Sequence, residues 1–201
     1  MSSTEAGGPS EVKVATQGLS FESDRLLFSA LKLEDEGDLF EYQSDAMTVR
    51  FIPWPARTRQ QVREALENTL LPRTFAFDND YLLFGWRLKE NAKVIGQSNI
   101  SITSQADSTA EIGWVLHPEF AGKGFASEAT KALITFAFDQ FKFHRITAYI
   151  DQRNDSSVKL AERVGMRREA AYIKDEFFKG EWSSAYLYAI LDEEWQNSER
   201  S

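Results

Sequence analysis

The sequence predicts a mixed α/β (α+β) domain on a largely antiparallel sheet, and three observations carry that expectation. β-rich runs at 81–88, 93–103 and 109–116 follow one another across short polar breaks, the pattern of a meander. Segments with apolar residues at helical spacing stand before, between and after the strands. The chain has 201 residues, 42% of them hydrophobic. A domain of that size buries roughly 70% of its extended surface, enough for a core without covalent staples.

In chain order, 24–31 reads as the first strand and 34–46 as a helix with Leu39 and Phe40 on its apolar side. Phe51-Ile52-Pro53-Trp54-Pro55 is barred from regular helix, because both prolines lack an N–H and restrict the residue before them. Thr58 is placed to cap the next helix, where Val62, Leu66 and Leu70 repeat. After the meander a glycine-rich loop opens a helix running to about Phe141, with Ala126, Ala129, Leu133 and Ala137 on one side. Residues 145–150 alternate as a strand, and Asn154 or Asp155 caps a helix that stops at Gly165. Two strands, 170–174 and 184–191, close the chain around a Lys179-Gly180 turn. Residues 1–20 read as a disordered tail, 21–196 as the domain and 197–201 as a second tail.

The net charge of −8 opposes nonspecific binding to nucleic acid, which depends on neutralising phosphates, and favours a cationic partner such as an amine. The absence of Cys removes disulfides, thiolate zinc sites and a cysteine nucleophile together, and is compatible with a cytoplasmic location, which is the expectation. No run approaches the roughly 20 apolar residues of a membrane span, and 1–20 lack the basic start and apolar stretch of a secretory signal. His117 and His144 are far apart and lack the carboxylate spacing of a metal site, so no metal is expected; His117 reads as a loop residue beside Pro118.

The segment richest in chemistry is the run from Glu111 to Ala126, in which a strand passes through Gly122-Lys123-Gly124 into a helix. The first turn of a helix presents unbonded N–H groups and a positive dipole end, so it accepts an anion such as phosphate, and glycines let the backbone approach closely. The same residues also serve as a tight turn with no ligand. Two common nucleotide loops fail here. A Walker A loop needs Gly at 117 and Ser or Thr at 124, where this chain has His117 and Gly124. A dinucleotide fingerprint wants a small third residue at 127 and a βαβ context, whereas Ser127 follows a meander.

The order of elements, together with several local motifs, resembles the GNAT superfamily of acetyl-CoA-dependent N-acetyltransferases. The motifs are Arg25-Leu26, Phe51-Ile52-Pro53-Trp54, Glu111-Ile112-Gly113-Trp114, Gly122 through Ala129, Asn154 with Ser157, Val164-Gly165-Met166, Gly180-Glu181-Trp182 and Glu194-Trp195. Their wording is similar to the branch that acetylates N-terminal alanines of ribosomal proteins, RimJ/RimL-like, and they span roughly 21–195. The resemblance implies a sheet of about seven strands, splayed between the fourth (109–116) and fifth (145–150), with about four flanking helices. It implies acetyl-CoA as co-substrate, its pantetheine arm adding to the fourth strand at Trp114, Val115 and Leu116. The diphosphate is then expected on the loop from Ala121 through Gly122, Lys123, Gly124 and Phe125 to Ala126. The family usually has Gln or Arg at position 121, so Ala121 forfeits one polar contact. Asn154 is either a helix cap or a neighbour of the pantetheine arm, and the two roles are compatible.

For proton removal Glu111 is the first candidate, through water, against the alternatives of a structural pair or a place on the solvated sheet face. A backbone N–H at a bulge in the fourth strand is expected to hold the oxyanion. The Tyr that many members use to protonate coenzyme A is replaced by Ala161, which leaves Ser157 as the substitute, or as a hydroxyl bonding its own helix turn. Phe51, Trp54, Phe84, Trp86, Tyr172 and Trp182 are either acceptor-cleft walls or ordinary core. Ala170 and Ser184 depart from the branch's usual Gly and Asp. The expected reaction is acetyl transfer to a primary amine, a protein N-terminus first and a small-molecule amine second, by a monomer or homodimer. A catalytically weak acyl-CoA sensor or interaction domain is the alternative.

Overall fold

The computed structural model describes residues 14–15, 18–69 and 74–199. Its main sheet has eight strands: β2 (Ser20–Glu22), β3 (Leu26–Ser29), β5 (Tyr81–Leu88), β6 (Val94–Ser104), β7 (Thr109–Leu116), β8 (Arg145–Asp151), β9 (Arg167–Phe178) and β10 (Glu181–Leu191). They lie in the order β2-β3-β5-β6-β7-β8-β10-β9, and β1 (Val14–Ala15) pairs separately with β4 (Thr74–Phe75). Every pairing is antiparallel except β7 with β8. The mixed, mostly antiparallel α/β class is therefore as expected, with one strand more than the seven anticipated. That extra strand is β2, a three-residue piece paired with β3 and too short to show periodicity. Most of the tail expected over 1–20 lies outside the described residues; of the remainder, Val14–Ala15 is paired and Ser20 opens β2.

Five α-helices are described: α1 (Glu36–Gln43), α2 (Arg59–Thr69), α3 (Phe125–Phe141), α4 (Asp155–Arg163) and α5 (Asp192–Glu199). The fifth, one more than expected, anchors its Trp195 in the core and donates the indole N–H to Thr135 Oγ1 at 3.1 Å. Thr58 and Gln61 cap α2 reciprocally, side chain to backbone in both directions, at 3.3 and 2.9 Å. Val62 and Leu66 are buried as expected; Leu70 lies outside the described residues.

One sheet face packs on α3 and α4 through Ile100, Ile112, Leu133, Ile134, Ile146 and Leu160. The other packs on α1 and α2 through Leu39, Tyr42, Val62, Leu66, Val94 and Val115. Helices on both faces explain why β5 and β6 read as nearly continuous buried runs instead of clean alternation. A buried ion pair fixes the α1 entry: Arg87 on β5 clasps Asp35 through two bonds of 2.6 and 2.7 Å.

Candidate active site

The parallel ladder between β7 and β8 is short. It runs only from Thr109↔Arg145 to Glu111↔Thr147, and beyond Glu111 the strands part. Which backbone groups face the gap follows from the other side of β7. His117 N donates to Ile95 O at 2.8 Å, in the same register that sets Leu116 opposite Gly96. Hydrogen-bonded residues alternate along an antiparallel ladder, so Glu111, Gly113 and Val115 turn their amides toward β6. Ile112, Trp114 and Leu116 turn theirs toward β8; the Glu111↔Thr147 pairing takes up that of Ile112, and beyond it no partner strand reaches Trp114 and Leu116. The gap is thus an open strand edge with donors and acceptors ready for an extended ligand. Val115, by contrast, presents a buried side chain to the α1–α2 face, with its backbone engaged on β6.

Past Leu116, a single 3-10 turn, Pro118–Phe120, redirects the chain into the glycine loop. Buried His117 begins it as the loop residue expected beside Pro118, and it also caps the turn: Nδ1 accepts from Glu119 N and Nε2 meets Glu41. Gly122 and Gly124 adopt φ of +74° and +83°, the left-handed region that glycine enters at no cost, and Gly124 is the N-cap of α3. Among the described residues, no group accepts from the amides of Gly122 through Ala126. Ala121 differs from them, since its N–H is spent on Pro118 O at 3.0 Å.

The loop is braced from behind. Glu128 accepts from Ser23 Oγ (2.7 Å), Arg25 N (2.8 Å) and Arg25 Nε (2.6 Å), and Arg25 Nη1 donates to Lys123 O at 3.0 Å. Arg25 therefore draws a loop carbonyl inward, which leaves the amides facing solvent, and it offsets the Glu128 charge at a helix start that must welcome an anion. The open strand edge and the unpaired amides both fit the pantetheine and diphosphate of acetyl-CoA.

A cavity of about 820 Å³ runs from the gap to the α1–α2 side of the sheet. At the gap end, Trp114 Nε1 donates to Ser157 Oγ at 3.1 Å, and Asn154 Oδ1 accepts from Ser157 N at 3.2 Å. Asn154 is thus the α4 cap, with its amide N–H₂ left over, and Ser157 keeps its hydroxyl proton to donate. Glu111 lies at the fork where β7 and β8 separate, and burial pushes its carboxyl above the ordinary carboxylate range. Among the described residues it has no hydrogen-bond or ionic partner. The sheet beside it is polar: Tyr81, Ser101 and Glu111 form one row across β5, β6 and β7, and Asn99, which lines the cavity, lies over Gly113. A Cβ at 113 would meet Asn99 Oδ1 at 2.7 Å, so glycine makes room for that amide.

Trp54 and Phe51 line the cavity. Phe84 and Trp86 do not. Both are core residues, Phe84 against Phe21 and Phe136 and Trp86 bonded to Ser98 Oγ, because their parity on β5 turns them to the α3 face. Tyr172 packs against Tyr149 with tilted rings at the exposed β9 edge and Trp182 meets Phe177 edge-on at the hairpin, neither among the residues that line the cavity. The bulge expected in the fourth strand is also absent. β7 pairs regularly, and the irregularities fall in β6 at Thr103 and near Ile95. Sequence reading missed Arg57, Gln43 and Asn99. The signals were polar residues inside the apolar run of β6 and an arginine directly after the Pro-rich turn.

Comparison with known proteins fits this geometry. The family model described as an acetyltransferase (GNAT) domain matches residues 25–167. The chain belongs to the GNAT acetyltransferase family. It is 30% identical over 171 residues, 85% of this chain and 96% of the relative, to the protein named uncharacterized N-acetyltransferase YnaD of Bacillus subtilis (strain 168). The crystal structure of a GNAT-family acetyltransferase from Bacillus anthracis superposes with a TM-score of 0.79 at 30% identity, covering 88% of this chain and 100% of that one. Spermidine N-acetyltransferase from Vibrio cholerae, solved with CoA and spermine, shares the fold with a TM-score of 0.72 at 20% identity, over 86% and 99% of the two chains. The protein is an acyltransferase whose family uses acetyl-CoA.

Proposed function

We propose that the protein transfers the acetyl group of acetyl-CoA to a primary amine bound in the cavity, a protein N-terminus or a small molecule. The observation that carries this is the continuity of three features: unpaired loop amides, an unpaired strand edge and a cavity with a lone raised carboxylate at the fork. Acetyl-CoA supplies an activated thioester. The amides of Gly122, Lys123, Gly124, Phe125 and Ala126 hold its diphosphate, the β7 edge at Trp114 and Leu116 aligns its arm, and the Asn154 amide adds a donor beside it.

Only a neutral amine attacks a thioester, so the site must remove a proton. Glu111, desolvated and unpaired, takes it directly or through one water. Ser157 is held by Trp114 and gives a hydrogen bond to the sulfur as it departs as thiolate, in place of the tyrosine that Ala161 excludes, while the amine's proton stays on Glu111. Without cysteine, the amine attacks directly, with both substrates bound. The likeness to the ribosomal-protein branch supports an N-terminal amine, and the spermidine enzymes among the structural neighbours support a small one. The test is release of free thiol from acetyl-CoA with panels of amines and N-terminal peptides. Coenzyme binding without turnover of any acceptor would favour the sensor alternative and refute this reading.

A further inference from the structure

Arg57 is a half-buried cation in the cavity wall that no carboxylate answers. Its Nη1 donates to Gln43 Oε1 at 2.8 Å, its guanidinium stacks over Trp54 at 4.5 Å, and among the described residues it forms no ion pair. A buried arginine elsewhere in the fold is treated differently: Arg87 has Asp35 on two of its nitrogens. Leaving a desolvated charge unpaired is costly, and folds tolerate it chiefly where something else supplies the counter-charge. Burial accordingly lowers the Arg57 pKa with no carboxylate opposing it.

A second, independent observation lies beside it. The indole Nε1 of Trp54 is buried and donates to nothing. The stacked pair therefore carries a buried indole N–H and guanidinium N–H groups beyond the one given to Gln43 that bond no acceptor among the described residues. Gln43 is itself locked, since its Nε2 donates to Gln97 Oε1 at 2.9 Å and Tyr42 donates to the same oxygen at 2.8 Å. This buried amide chain fixes Arg57 over the Gln97–Val115 row of the floor. Among the described residues three acidic side chains line the cavity and none pairs with Arg57. Glu111 is four residues along β7, about 13 Å at strand rise, Asp151 is already held by Arg153 and Ser183, and Glu176 is an exposed residue of β9.

We infer that the acceptor carries an oxyanion, a carboxylate in the first instance, on the same molecule as its amine, and that Arg57 with Trp54 binds that oxyanion while the amine faces Glu111. This inference rests on the cavity being the acceptor site. It excludes polyamines as preferred acceptors, because a second ammonium would lie against Arg57. The carboxylate has two sources, a free amino acid or an acidic side chain next to a peptide N-terminus.

The test measures kcat/KM for matched pairs on the wild-type protein: amino acids and ω-amino acids against their carboxamides, and alanine-first peptides with Glu or Gln second, with spermidine as the polyamine arm. Charge-assisted hydrogen bonds of this kind predict at least a ~10-fold preference for the carboxylate member. The source is whichever set shows it. In Arg57→Gln the preference falls below about 3-fold while acetyl-CoA affinity is unchanged, and Arg57→Lys restores part of it. Equal rates within pairs, or spermidine as the best acceptor, would overturn the inference and leave acetyl transfer standing. Absence of turnover with every amine would instead remove both. Should Arg57→Gln fail to fold, the wild-type pair ratios still decide the matter.

Discussion

Replacing Gly124 separates two contributions to coenzyme binding. Its φ of +83° is left-handed, and a Cβ there would meet Arg25 Nη2 at 3.4 Å. Gly124→Ala therefore costs chiefly backbone strain, about 1–2 kcal/mol, and lowers Tm by roughly 2–8 °C in a chain of this size. Coenzyme affinity should stay within about 5-fold, because the amides remain. Gly124→Glu incurs the same strain and adds a carboxylate about 5 Å from the diphosphate. At an effective dielectric near 20, one such like-charge pair costs roughly 3 kcal/mol, trimmed to about 2 by screening at an exposed loop. The expected loss is ~30-fold or more in Kd for CoA by titration calorimetry, with melting curves matching those of Gly124→Ala. A folded Gly124→Glu protein that binds CoA within about 3-fold of wild type would refute the placement of the diphosphate.

Glu111→Gln should lower kcat by ~100-fold or more with little change in acceptor KM. In the wild type, burial raises the Glu111 pKa and the base must be ionised, so kcat/KM should climb as pH rises through a value above the ordinary carboxylate range. That limb should vanish in the variant; its persistence would take Glu111 out of the proton path. Asp35→Ala strands the Arg87 charge in the interior and should cost about 3–5 kcal/mol in denaturant unfolding, against well under 1 kcal/mol for Glu67→Ala in the exposed pair with Arg63. Asp151 is pushed up by burial but held down to about 2 by Arg153 and Ser183. A lowered folded-state value stabilises fully above the unfolded carboxylate value of about 3.9 and is lost as pH falls toward 2, so Asp151→Asn should flatten the acid side of the Tm-versus-pH curve in that window.

The parts of the fold legible in the sequence were those set by local chemistry. The bounds of β5 and β7, the helix after Gly124, the Asn154 cap and the Gly165 stop all follow from residues acting within a few positions of one another. What escaped was set by distant partners. Lys142 ends α3 in a left-handed conformation where a glycine would be looked for, and β2 gains its strand character only by pairing with β3. The same divide runs through the site. The glycine loop was readable because its motif lies in one stretch of chain, whereas the β7–β8 splay came only from the family resemblance. Phe84 and Trp86 were misassigned because strand parity alone decides which face they join, and helices on both faces erase the alternation that would reveal it. Arg57 was invisible, since a lone arginine acquires meaning only once its missing counter-charge can be seen.

The most direct measurement is an experimental structure of the protein with CoA bound. The diphosphate should lie within hydrogen-bond reach of the amides of residues 122–126, and the pantetheine arm should run along β7 against the Trp114 and Leu116 backbone. Coenzyme density elsewhere, or a β7–β8 ladder closed beyond Glu111↔Thr147, would contradict it.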